Sequence, residues 1–157
     1  MKLTGKEAEK YYMETVNFPI GDGVVLSDEF YESRTLKGQL NHYLKERKLK
    51  IDTLSMRIGS DPKQISRYST GERKPDRMTV IRLGLGLLLS IEDMNRLLSS
   101  ADFADLSPKR KEDAIILGKY DEIIEALEKN DTNVNYDFLL DINDILVDAG
   151  CSELFKM

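Results

Sequence analysis

The chain has one cysteine, Cys151, one histidine, His42, and no tryptophan among its 157 residues. One thiol and one imidazole cannot fill a zinc site of the usual nitrogen and sulfur ligand count, and a histidine-dependent triad would have to rest on His42 alone. An intramolecular disulfide is excluded by arithmetic, which suits a reducing compartment. Long apolar runs are missing too. The longest, Leu83 to Leu89, is far below the roughly 20 residues needed to cross a bilayer, and none follows Met1 to Glu7 as a secretory signal requires. The expectation is a cytoplasmic protein without a membrane partner. With 41% hydrophobic and 32% charged residues, the composition is that of a globular chain able to bury a core.

Catalytic and cofactor signals fail on spacing. His42, between Leu40 and Tyr43 in a helical pattern, reads as a surface or boundary residue, and Cys151 after Gly150 as a small packed one. Gly84-Leu85-Gly86 lacks the preceding strand and third glycine of a nucleotide loop, so it reads as two helix glycines allowing close packing. Asp141, Asn143 and Asp144 lack the glycine and terminal glutamate of a calcium loop. Asp121, Glu122, Glu125 and Glu128 describe one acidic, solvated helix face. No enzyme activity, cofactor or metal is expected.

Charge is strongly partitioned. The net charge is −5, yet residues 36 to 82 carry 12 Lys/Arg against 5 Asp/Glu, and residues 101 to 157 carry 6 against 14. The middle therefore presents the sign of field that attracts a phosphate backbone, between acidic flanks that repel it. The competing account is an ordinary solvated set of helices.

Periodicity predicts an all-α chain. Gly5 to Val16 reads as a short amphipathic helix stopped by Pro19, and Phe18 to Leu26 as a hairpin or a packed connector. From Leu36 the period is helical: Leu36, Leu40, Tyr43, Leu44 and Arg47 share one face. A second helix is predicted over about Asp52 to Ile58, with Asp52 or Thr53 as cap and Gly59 as its end. Asp61 and Pro62 open a third, running to about Ser69. Pro75-Asp76 opens a fourth, with Met78, Ile81, Leu85 and Leu88 inward, and Ser90 a fifth, with Ile91, Met94, Leu97 and Leu98 inward. Beyond Ser100, Ser107-Pro108 starts a helix carrying Ala114, Ile115, Leu117, Ile123, Ile124 and Leu127. A last one, Tyr136 to Ala149, carries Leu139, Ile142, Ile145, Leu146 and Ala149.

Two short helices joined by Gly59-Ser60-Asp61, the second of them basic, are the physical description of a helix-turn-helix. In the second helix Ile65 and Tyr68 at i, i+3 should face the core, leaving Lys63, Gln64 and Arg67 outward. These side chains suit base edges: Lys and Arg donate to guanine O6 and N7, Gln pairs with adenine, and Ser66 reaches a base or a phosphate. Thr53, Thr70, Arg73, Lys74 and Arg77 surround this helix as candidate phosphate contacts. Asp61 and Glu72 are negative in the same zone.

Residues 54 to 75 resemble the helix-turn-helix of the Cro and repressor class of regulators, the XRE family. Leu54, Gly59, Ile65, Ser66, Gly71 and Pro75 fall in register without a gap, while Ser55, Ser60 and Ser69 stand where the family usually has Ala, Val and often Glu. The resemblance implies a five-helix DNA-binding domain over Leu36 to Ser99, with Lys63, Gln64, Ser66 and Arg67 facing the major groove. A looser resemblance, over Leu97 to Ile116 and Asp141 to Leu146, is to the helical extension of some Firmicutes members.

The expected organisation is an N-terminal segment 1–35, a repressor-like helix-turn-helix domain 36–100 and an acidic helical extension 101–157. The expected function is sequence-specific double-stranded DNA binding by a homodimeric regulator, most simply a repressor. The alternative is an interaction module, such as an antitoxin or phage-encoded inhibitor, that binds a protein through its acidic C-terminal helices. The stripes of the extension are expected to form the dimer or partner surface, the competing arrangement being that they pack back on their own domain.

Overall fold

A computed structural model describes residues 2–3, 25–26, 33–128 and 136–154, with side chains described over 33–125 and 139–154. Among these residues the fold is all-α apart from a two-residue parallel pair, β1 (Lys2–Leu3) with β2 (Val25–Leu26), in register Lys2 with Val25 and Leu3 with Leu26. A parallel pair cannot be a tight hairpin, so at Val25–Leu26 the hairpin reading gives way to a pairing with the start of the chain. The helix expected over Gly5 to Val16 lies outside the described residues.

Seven helices follow among the described residues: α1 (Leu36–Glu46), α2 (Ile51–Ile58), α3 (Pro62–Thr70), α4 (Arg77–Gly86), α5 (Ile91–Ser100), α6 (Lys111–Glu128) and α7 (Tyr136–Asp148). Most starts are chemical. Thr35, Asp61, Asp76 and Ser90 each sit in extended backbone and accept from an N–H of the first turn, at Gly38, Lys63, Thr79 and Asp93 respectively. Two expected starts are corrected. Lys50, not Asp52 or Thr53, is the α2 cap, without a side-chain bond. Ser107-Pro108 lies ahead of α6, where the Ser107 hydroxyl oxygen accepts from Lys109 N–H at 3.3 Å.

The core is built on α4. Val80, Ile81, Leu83 and Leu85 are all fully buried, so this helix is apolar around most of its circumference. It packs against α2 and α5. Both of its glycines mark close approach: a β-carbon at Gly84 would overlap Met94 Sδ and Cε, and one at Gly86 would overlap Ile58 Cγ2 and come within 2.9 Å of Leu54 Cδ1. Leu40, Tyr43 and Leu44 of α1, Leu54 and Ile58 of α2, and Met94, Leu97 and Leu98 of α5 complete this part as their spacing predicts. Ile91, expected inward, is exposed because it is the first residue of α5.

The extension belongs to the same core. Ile116, Tyr120 and Ile123 of α6 and Leu139, Ile142 and Leu146 of α7 are buried with the residues of α1 to α5. α7 packs against both α6 and α2, and the buried Tyr120 hydroxyl donates to the Leu89 carbonyl at 2.9 Å. Much of the apolar surface of the described part of the extension is thus packed against the rest of the chain. The α7 stripe follows the expected spacing at Leu139, Ile142 and Leu146, with Ile145 exposed, whereas the α6 stripe is shifted: Ala114 faces outward, and the buried line runs through Ile116, Tyr120 and Ile123. Leu127's side chain lies outside the described region.

Candidate nucleic-acid interface

The turn between α2 and α3 is fixed by backbone chemistry. Gly59 closes α2 at φ 63°, ψ 40°, a left-handed conformation that glycine adopts without steric cost, and the Ser60 N–H returns to the Ser55 carbonyl at 2.9 Å. Asp61 then accepts from the Lys63 N–H at 2.9 Å, and Pro62 occupies the first helical position. Three residues therefore suffice to redirect the chain and begin α3.

Ile65, fully buried, anchors α3 against α1 and α2, with Tyr68 half-buried beside it. The two internal serines satisfy themselves locally: Ser55 Oγ donates to the Asp52 carbonyl at 2.7 Å and Ser69 Oγ to the Ser66 carbonyl at 2.8 Å. Asn41 adds a tie that no local pattern announces. Its Nδ2 donates to the Lys37 carbonyl of its own helix at 2.9 Å and to the Ser69 carbonyl at 2.8 Å, clamping the end of α3 to α1.

This packing leaves one outward face on α3. Lys63, Ser66 and Arg67 are exposed and Gln64 is half-buried, which are the four residues expected to read bases. Gly71 ends the helix at φ 80°, and the loop that follows turns Arg73 back so that its Nη1 donates to Gln64 Oε1 at 3.2 Å. Arg73 and Lys74 are both exposed, and Pro75 behind them is buried. Among the described residues none of Lys63, Arg67, Arg73 and Lys74 lies within ion-pair distance of a carboxylate, whereas Arg77, Arg96, Arg110, Lys119 and His42 all do. These four cations, on α3 and the loop that returns along it, therefore have their charge uncompensated by any described carboxylate and open to an external anion.

The other predicted phosphate contacts divide. Thr53 is exposed in the first turn of α2, beside a helix start that no side chain caps. Thr70 is exposed, with Oγ1 donating to the Arg67 carbonyl at 3.1 Å, a bond for which a phosphate oxygen can compete. At Arg77 the expectation is corrected: its guanidinium is held by Asp113, with Nη1 at 2.8 Å and Nη2 at 2.9 Å, and it also donates to the Ala104 and Asp105 carbonyls. Its side chain is only 18% exposed, and it joins the extension to α4 in place of holding a phosphate.

Burial alone would raise the Asp113 pKa, but the hydrogen bonds from Arg77, the Ser107 N–H and Arg110 outweigh it and hold the carboxyl below its ordinary value. His42 lies on the exposed side of α1, 3.0 Å from Glu46. No described helix is long and apolar enough to cross a membrane. No family model, curated protein or solved structure matches the chain.

Proposed function

We propose that this chain is a sequence-specific double-stranded DNA-binding protein, a helix-turn-helix transcriptional regulator acting most simply as a repressor. α3 is its reading helix, and α1 to α5 form a repressor-like domain. The observation that carries this reading is the outer face of α3: Lys63, Ser66 and Arg67 exposed and Gln64 beside them, on a helix clamped by Ile65, Asn41 and the Gly59 turn. Such a face offers donors suited to the major groove, and the exposed Thr53, Thr70, Arg73 and Lys74 are side chains suited to phosphate contacts beside it. A homodimer on a palindrome with half-sites about one helical turn apart fits this mode of docking.

Capture of genomic fragments by the purified full chain, followed by sequencing, tests this directly. The expected result is a small set of fragments sharing one sequence. Lys74→Ala should weaken binding to every sequence alike and reduce the salt slope by about 0.9 for one lost phosphate contact. A second reading, a protein-interaction module, is favoured by α7. Ile145 and Val147 are exposed there among the exposed acids Asp141, Asp144 and Asp148. Random recovery of DNA, without an enriched sequence, would favour that second reading.

A further inference from the structure

The Arg73 side chain changes what Gln64 can recognise. Gly71 ends α3 in the left-handed region, and the Arg73 N–H donates to the Arg67 carbonyl at 3.2 Å, so the chain returns alongside the helix it has just left. This return brings Arg73 Nη1 to 3.2 Å from Gln64 Oε1. A guanidinium has only donors. It can engage the carboxamide only through its oxygen, so the bond orients the amide, with Oε1 toward Arg73 and the Nε2 donors turned away from it. Glutamine reads adenine by using both ends of the amide, donating to N7 and accepting from the N6 amino group. With one lone pair of Oε1 taken by Arg73 and the guanidinium beside it, Gln64 and Arg73 together present mostly donors. Guanine, with acceptors at both N7 and O6, matches such a cluster, whereas the adenine N6 amino group must share Oε1 with Arg73 and meets the guanidinium donors.

We propose that Arg73 sets the base preference of Gln64, so that the pair selects guanine where Gln64 alone would select adenine. The proposal rests on the DNA-binding reading above. Arg73 is then a positioning residue for the reader, with its remaining donors still able to hold a phosphate.

The test is selection from a randomised duplex library with the full chain as wild type, Gln64→Ala and Arg73→Ala. Thermal melts of each protein check the fold, which both changes should leave intact because neither side chain is in the core. The base pair whose preference disappears in Gln64→Ala is the one Gln64 reads. At that base pair the wild type should favour guanine over adenine by about tenfold, and Arg73→Ala should reverse the preference while leaving the other positions unchanged. Adenine in the wild-type sequence there, or guanine retained in Arg73→Ala with only a uniform loss of affinity, would overturn the proposal and leave DNA binding standing. A selected sequence that Gln64→Ala does not alter would do the same. No enriched sequence for the wild type would remove the DNA-binding reading and this proposal together.

Discussion

Arg77 and Asp113, 36 residues apart, meet in a two-pronged ion pair that joins α4 to the first turn of α6, and the Asp113 side chain is fully buried. The Asp113 carboxylate also accepts from Arg110 Nε and the Ser107 N–H, each at 3.0 Å, so both oxygens are satisfied. Removing Arg77 strips one carboxylate oxygen of its partner and leaves Asp113 to Arg110 and the Ser107 N–H alone. Arg77→Ala should therefore cost about 1–3 kcal/mol in urea unfolding, while Lys63→Ala, on the exposed face, should stay within about 0.5 kcal/mol of wild type. Equal midpoints for the two variants would mean that the bridge does not hold the extension.

The same pair predicts a pH dependence. Because folding lowers the Asp113 pKa, its contribution is fully present above the unfolded value of about 3.9 and is lost as the pH falls through the folded value. The stability difference between wild type and Asp113→Asn should therefore hold steady down to about pH 5 and shrink as the pH falls below about 4. A difference independent of pH would show that the carboxylate is not ionised in the fold.

The glycines should respond in opposite directions. Gly84→Ala and Gly86→Ala place a methyl group against Met94 and against Ile58 and Leu54, and should cost about 1–3 kcal/mol. Gly118, inside α6, has nothing within 4 Å of its absent β-carbon, so Gly118→Ala should gain about 0.5–1 kcal/mol. Thermal unfolding of the three variants checks the order.

A chain ending at Ser100 should not behave as an intact domain. It would lose the buried side chains Ile116, Tyr120 and Ile123 of α6, Leu139, Ile142 and Leu146 of α7, and the Asp113 carboxylate that holds Arg77. Their removal uncovers apolar surface on the first five helices. The truncated chain should unfold at much lower urea concentration and bind a hydrophobic dye. A cooperative transition at the wild-type midpoint would mean that residues 36–100 stand alone.

Much of the fold is legible in the sequence where chemistry is local. Asp61-Pro62, Gly59, Gly71 and Ser90 act through bonds within a few residues, so the helix ends they make can be read directly. The spacing of Ile65 against Lys63, Gln64 and Arg67 likewise separates the buried from the exposed side of α3. Long-range partners leave no such trace. Arg77 reads as a phosphate contact because its partner lies 36 residues on, and Asn41 reaches Ser69 across 28 residues. The α6 stripe is ambiguous because Ala114, Ile115, Ile116 and Leu117 are consecutive and apolar, so periodicity alone does not choose which of them faces inward.

The central claim, that α3 reads DNA sequence, is tested most directly by measuring affinity for the selected duplex and its single-base-pair variants with wild type, Lys63→Ala and Arg67→Ala. Each variant should lose discrimination at particular base pairs, by about 1–3 kcal/mol per lost pairing, with an unchanged melting temperature. Wild-type base preferences in both variants would contradict the claim.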